Sequence, residues 1–315
     1  MAVLAACSSV GPQQLTLNFE SIPPGQNTPN YTVELANLVL VDVTLQREGI
    51  YLDSFLGNFD QNQIDLLPQD IPASGTELII LARDADRVAS WAMTGPLDFA
   101  DDTTRAAYFT PRSAAVAYPL EQAVISIDGQ CNDWTQPTSV WLTGLDDRVE
   151  ALREVESAAD LNAQLLFGWS ADYLYVAARV ADSQVVVDDG AGDVDDDTLE
   201  IGFDGDHGAN LNFDNADDFK YRIDANGGVT ELFAAPTLAV GDVAAARLPG
   251  DLGYCIEFRI PLAALSAQLP PPNDTQVIGI GATIYDDDGA GVDKALQFLP
   301  NNDTPDTFGD LVFPE

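Results

Sequence analysis

The sequence predicts an all-β protein organised as two β-sandwich domains, and three observations carry that expectation. Apolar and polar residues alternate over many short runs, the period of a strand with one buried face. Clusters of Pro, Gly, Asn and Asp separate these runs at short spacing. No long segment repeats its apolar residues at the helical period, and the main local rival is "RVEALREVESAADLNAQL", residues 148–165, whose composition favours helix. With 315 residues the chain is long for a single sandwich, and with 46% hydrophobic residues it has the composition of a chain that folds.

Residues 1–11 carry "MAVLAACSS", which has the Leu-Ala-Ala-Cys form of a bacterial lipoprotein processing site ending at Cys7. Only six residues precede Cys7, so the usual positive start and long apolar segment are not in the sequence. Lipid attachment at Cys7 is expected, against an ordinary N-terminal thiol. No stretch approaches the length of a membrane span, so an acyl anchor is the one membrane link the sequence supports. The protein is then expected to be secreted, as an outer-membrane lipoprotein or otherwise at the cell surface.

Residues 12–120 are expected to form an N-terminal all-β domain of no recognised family. Its strand signals are "LTLNFE", "YTVEL", "NLVLVDVTL", "ELIILARD", "AAYFT" and "AAVAYPL", with "SIPPGQN", "PASG", "TGP" and "FADD" as turns. Trp91, in "RVASWAM", reads as core. "AYPLEQ" is taken as the linker to a second sandwich over residues 121–315. There Leu174, Val176, Ala178 and Val180 share one face of a strand, as do Leu199, Ile201 and Phe203, and Phe219, Tyr221 and Ile223. Ile256, Phe258 and Ile260 point inward on a strand ending at Pro261, and one helical turn follows in "LAALSAQL". Ile278, Ile280, Ala282 and Ile284 line a further strand.

The charge balance narrows the function. Against 51 acidic residues stand 13 basic ones, a formal net charge of −38. Such a field repels nucleic acid and anionic lipid and attracts cations. There is no Gly-x-Ser-x-Gly, no Cys–His pair and no phosphate-cradling glycine loop, so neither a nucleotide nor a hydrolytic triad is expected. Carboxylate pairs abound, but with so many Asp residues they arise by chance, and the chain is read as non-enzymatic. Cys131 and Cys255 are an even pair. Bonded, they would close a loop of over a hundred residues, and unbonded they would be two buried thiols.

The acidic residues cluster at one place. Asp204, Asp206, Asp214, Asp217 and Asp218 sit at the tip of the hairpin formed by the 199–203 and 219–223 strands. Two carboxylates about 5 Å apart repel by about 3 kcal/mol at an effective dielectric of 20, and by less than about 1 kcal/mol in water. A buried cluster therefore needs a cation, whereas a wetted one does not. Calcium is the expected ion, since hard cations take six to eight closely spaced oxygens and hairpin loops supply them. The spacing is not that of an EF-hand, because the twelfth position is Asn215 and not Glu. "DDDG" at 286–289 is a second, weaker candidate. Zinc and iron are not expected, with one His and no Cys pair at ligand spacing.

Six pieces in order, "ISIDGQCNDW", "SAADLNAQLLFGWSADYLYVAARVAD", "DDTLEIGFDGDHG", "DDFKYRID", "CIEFRIPLAAL" and "IGIGATIYDDDGAG", resemble the carbohydrate-binding module family 9-like domain of the DOMON-like set. The resemblance covers about residues 121–315. It implies an antiparallel sandwich and a glycan ligand, held in sugar-binding relatives between two exposed Trp rings. Trp134 and Trp169 fall inside framework motifs and are expected in the core, so Trp141 is the ring nominated for ligand binding. Tyr285 and Phe298, near the loop end, are its candidate partners. Some relatives bind haem through Met, His or Lys, but this half has only His207, two Lys and no Met, so haem is not expected. The sequence thus reads as a non-catalytic, surface-anchored, calcium-stabilised binding protein with a glycan as ligand. The alternative is a structural protein that self-assembles in an envelope layer or filament, with calcium screening acidic subunit contacts.

Overall fold

In the computed structural model the described residues up to residue 113 are those of eight strands. From residue 114 they are all except 121–124, 135–139, 144–146, 148, 150–151, 158–159, 189–192, 207–211, 214–216, 234–236, 251, 266–275, 290, 299–303, 306–307 and 314–315. Cys7 and the strand expected at "YTVEL" lie outside the described residues, as does the side chain of Trp91. The chain divides into two compact units, residues 1–112 and 113–315.

The first unit comprises β1 (Leu15–Glu20), β2 (Leu40–Arg47), β3 (Ile50–Asn58), β4 (Gln63–Leu66), β5 (Ser74–Arg83), β6 (Val88–Asp98), β7 (Thr104–Tyr108) and β8 (Thr110–Pro111). They form a three-stranded sheet in the order β4-β1-β7 and a five-stranded sheet in the order β3-β2-β5-β6-β8. Val43 and Ile80 face each other across β2 and β5 and are fully buried, as period-two alternation requires of a core face.

The second unit opens with β9 (Ala114–Pro119), β10 (Val140–Thr143), β11 (Leu161–Trp169), β12 (Tyr173–Asp182), β13 (Thr198–Asp204) and β14 (Asp218–Asp224). It continues with β15 (Val229–Phe233), β16 (Val243–Arg247), β17 (Tyr254–Pro261), the single turn α1 (Leu262–Leu265), β18 (Gln276–Asp287), β19 (Val292–Phe298) and β20 (Gly309–Phe313). One sheet runs β15-β14-β13-β18, with β19 and β20 sharing the far edge of β18. The other runs β11-β12-β17-β16, with β10 on the free side of β11. β9 lies between β20 and β11, parallel to both, and so joins the sheets. The expected boundary at residue 120 assigned this strand and the linker "AYPLEQ" otherwise. Its hydrogen bonds place it inside the second unit.

The expected apolar faces meet between the sheets. Leu199, Ile201 and Phe203 stand opposite Ile223, Tyr221 and Phe219 on one side and Ile284, Ala282 and Ile280 on the other, all buried. Leu174, Val176, Ala178 and Val180 pair with Ile260, Phe258, Ile256 and Tyr254 in the facing sheet. The sheets touch where the Tyr221 and Phe258 rings lie 6.2 Å apart, and again where Trp169 meets Phe313 edge-on at 6.2 Å. Each such side chain contributes about 1.5–3 kcal/mol when buried. Pro261 ends β17, and the helical turn follows directly.

The helix-favouring stretch 148–165 contains no helix among its described residues. The backbone of Asp147, Val149 and Arg153 instead bonds to Gln297, Ala295 and Asp293 of β19, and Leu161 onward is strand. Covering a strand edge satisfies backbone groups that a surface helix would leave on β19, which outweighs a propensity of tenths of a kcal/mol per residue.

The "ISIDGQCNDW" segment crosses the outer face of the second sheet as a clip. Cys131 is joined to Cys255 of β17 by a disulfide, with Cα atoms 6.1 Å apart. Beside it the fully buried Glu257 carboxylate accepts hydrogen bonds from the backbone N–H of Asp128 (3.1 Å) and Gly129 (2.6 Å) and from Trp134 Nε1 (2.8 Å). Gly129 has a φ of 78°, and a Cβ there would lie 2.7 Å from the Ala245 carbonyl carbon. Leu120, Ile125, Trp134, Leu166, Tyr175 and Ala177 fill the space beneath.

Two outcomes are expected. Replacing both cysteines by Ala, opening a 124-residue loop, lowers unfolding stability by about 4–5 kcal/mol in the chain-entropy estimate, read as an earlier urea midpoint. Glu257→Ala leaves the buried donors of Gly129 and Trp134 unpaired and costs at least about 2 kcal/mol, whereas a surface substitution such as Glu156→Ala stays within about 0.5 kcal/mol.

Candidate functional site

The outward face of the β14-β13-β18 sheet is polar, yet recessed. Register places Arg222, Glu200, Thr283 and Gln297 in one row across β14, β13, β18 and β19. Glu200 and Thr283 are almost fully buried. The Glu200 carboxylate is gripped from two sides, by Lys220 Nζ at 2.5 Å and by the Arg222 guanidinium at 2.5 and 3.0 Å. Like polar residues alternating with the core-facing set, these would ordinarily face water.

Rings flank the row. On one side Tyr285 lies diagonal to Glu200, opposite Thr198, and is half-buried. On the other side Phe308 rests on Gly202, where a Cβ would come within 2.6 Å of the ring, so only glycine admits the ring there. Phe213 packs edge-on against Phe308 at 5.8 Å and against Phe233 at 4.9 Å, and Phe233 stands beside Lys220. The arrangement is a charged, hydrogen-bonding floor between aromatic walls, which suits a small polyhydroxylated ligand better than an apolar one.

The nominated ring residues do not converge. Trp141 is half-buried on β10, opposite Gln164, on the outward side of the other sheet. Phe298 is not near a loop surface. It ends β19 opposite the core residue Ala282 and is 3% exposed, because the strand alternation turns it inward. Tyr285 alone reaches the polar floor. Trp134 is in the clip and Trp169 in the sheet-to-sheet contact, as framework positions. Glu200, Lys220 and Arg222 were missed. The signal available was a polar face holding Glu, Lys and Arg at paired positions on adjacent strands of one hairpin.

At the hairpin tip, carboxylate oxygens of Asp204, Asp206 and Asp217 lie within 4.8 Å of one another. Asp204 is buried, Asp217 half-buried and Asp206 exposed, so water reaches this set. Asp218 is buried directly across the strand pair from Asp204, outside that group of three, and Asp214 lies outside the described residues.

A second acidic group is deeper. Asp182 ends β12 in one sheet, Asp286 is near the end of β18 in the other, and Asp197 precedes β13. Their oxygens also lie within 4.8 Å of one another, and all three side chains are at most 1% exposed. Asp197 accepts from the backbone N–H of Val186 and of Asp287 (2.9 Å), and Asp182 Oδ1 accepts from Gln184 N–H at 2.7 Å. Lys294 Nζ donates to Asp286 Oδ2 (3.1 Å), Asp160 (3.0 Å) and Asp288 (2.6 Å). Burial, reinforced by mutual repulsion, holds the coupled Asp182 and Asp197 pair above the usual carboxylate range and pushes Asp286 up to about 7.

A pH dependence follows from the sign of these shifts. A carboxyl group raised on folding binds more protons in the native state than in the unfolded chain, so stability falls as pH rises. In chelator-containing buffer the protein is expected to lose stability from the unfolded carboxyl value of 3.8 upward through about 7, read as a falling Tm across that range.

Among known proteins, the family model described as "Carbohydrate family 9 binding domain-like" matches residues 127–312, more than half of the chain. No curated protein is similar enough to match. Solved structures that resemble the chain include a carbohydrate binding module family 9 from Caldicellulosiruptor kristjanssonii in complex with cellotriose. It is 20% identical with a TM-score of 0.47, covering 64% of this chain and 93% of that one. The same organism's module in complex with glucose is 19% identical with a TM-score of 0.47, covering 64% and 95%. Through its matched second unit, the chain belongs to the carbohydrate family 9 binding domain-like family.

Proposed function

We propose that this protein is a non-catalytic glycan-binding module displayed outside the cytoplasm. The observation that carries the reading is the ion-paired floor of Glu200, Lys220 and Arg222, set between Tyr285 and the Phe308–Phe213–Phe233 rings. Sugar hydroxyls both donate and accept, so a carboxylate fixed between two cations offers them matched partners without moving. Thr283 and Gln297 extend the same row, and the rings supply apolar faces for the C–H sides of a pyranose. Such a site binds and orients. It holds no nucleophile activated by a neighbouring base, the feature an acyl- or glycosyl-transfer centre requires.

The surroundings fit an extracytoplasmic setting. The Cys131–Cys255 disulfide suits an oxidising compartment, and no helix among the described residues is long and apolar enough to cross a membrane. Lipid attachment at Cys7 would tether the module to the membrane surface.

The test is a glycan array probed with labelled protein, followed by calorimetric titration of any hit. Tyr285→Ala and Glu200→Gln are each expected to weaken binding at least tenfold, about 1.4 kcal/mol, with circular dichroism unchanged. Trp141→Ala is expected to leave affinity within twofold. A hit erased by Trp141→Ala and untouched by the other two changes would put the ligand on the opposite sheet and refute this site. An array with no hit would refute the function.

A further inference from the structure

We infer that the fold of this protein is conditional on concentrated monovalent salt, because the chain carries a charge that it does not balance itself and leaves to a diffuse layer of cations to screen. The inference stands apart from the glycan reading, since it concerns the surface outside the polar floor.

Two separate observations carry it. The first is where the chain keeps its own cations. It has two lysines, Lys220 and Lys294, and both are buried, at 8% and 4% exposure. Lys220 is bound to Glu200, and Lys294 to Asp160, Asp286 and Asp288, so no lysine remains for the surface. The described arginines of the second unit are committed as well. Arg222 grips Glu200, Arg259 holds Asp242 and Arg153 holds Asp293. Arg179 donates to Gln164 and to the Cys131 carbonyl, and Arg247 to the Val185 carbonyl. The second observation is the charge left outside. Glu156, Asp172, Asp188 and Glu231 stand exposed at points spread along the second unit, and the whole chain has a formal charge of −38. Such an excess works against the compact state, which holds like charges closer together than the unfolded chain does.

Salt acts on these two sets of charges unequally, and that fixes the sign of its effect. The Debye length is about 30 Å in 0.01 M salt, the width of a small domain, and about 3 Å in 1 M salt. In dilute salt each exposed carboxylate therefore repels others across the whole of a domain, and in molar salt only its immediate neighbours. Buried ion pairs are screened much less. Added salt thus removes the repulsion at the surface and leaves in place the attractions that hold Glu200 and Asp286 to their lysines. In a protein whose surface mixes both signs the two effects offset each other. Here the cations lie inside and the uncompensated anions outside.

The experiment is a series of thermal melts of the whole protein from about 0.02 M to about 2 M NaCl, with chelator throughout so that no divalent ion contributes. Tm is expected to rise by about 10 °C or more across the series. The variant Glu156→Lys/Asp172→Lys/Asp188→Lys/Glu231→Lys reverses four exposed charges and takes the formal charge from −38 to about −30. Self-repulsion scales with the square of net charge, so the rise is expected to shrink by about two fifths in the variant. A Tm that NaCl does not raise overturns the proposal. So does a rise of unchanged size in the variant, which would mark a general salting-out of apolar surface. Should the variant fail to fold, guanidinium chloride decides, being a salt as well as a denaturant. Added to the wild-type protein in dilute buffer, it is expected to raise Tm up to about 0.2 M, whereas the same concentrations of urea lower it. A Tm that falls from the first addition of guanidinium chloride overturns the proposal.

Discussion

A carboxylate taken out of water must be met by donors or by positive charge, and in a chain with 51 acidic and 13 basic residues this constraint shapes the second unit. Three solutions occur. Glu257 is met by N–H groups, two from the backbone and one from an indole, and the segment that supplies them becomes a clip over the sheet. Burial still raises its pKa, so the donors offset desolvation without cancelling it. Glu200 is met by Lys220 and Arg222, which concentrates two of the few cations on one face. The third group, at the strand ends, has Lys294 at its margin and orphaned oxygens at its centre.

These solutions divide the labour between stability and the recognition proposed for the polar floor. A buried ion pair contributes little net stability against an apolar equivalent, because desolvation consumes most of the Coulomb gain. A floor of fixed charges is therefore poorly explained as scaffolding and better explained as something kept for what it can hold. The Glu257 clip is the opposite case. Its acceptor is met by three donors, and its segment is covalently anchored by the neighbouring disulfide.

Much of the fold was legible because alternation reports directly on which side chains face the core, and the strands around Ile201, Tyr221, Ile256 and Ile280 obey it. The "ISIDGQCNDW" pattern was legible as a motif but not as a mechanism, since its partner Glu257 lies 123 residues beyond Trp134. Three features were hidden. The polar faces of β13 and β14 look like solvent faces until Phe308 and Phe213, distant in sequence, are set beside them. Phe298 looked accessible because the strand β19 that turns it inward was not apparent, its run being short and charged. β9 looked like one more strand of the first unit, because a short apolar run carries no information about which sheet will pair with it. The acidic clustering was visible, but proximity in sequence drew attention to the hairpin tip, whereas residues 182, 197 and 286 are brought together only by the sandwich itself.

The insertion of β9 between β11 and β20 also bears on how the unit carries load. Residues 112–113 are all that separate β9 from the last strand of the preceding unit, and β9 runs parallel to β20, near the other end of the chain. Tension applied between residues 113 and 313 would slide these two strands lengthwise against each other, straining their hydrogen bonds simultaneously rather than peeling them in succession. The second unit would thus resist pulling along this direction more strongly than its modest interstrand pairing implies.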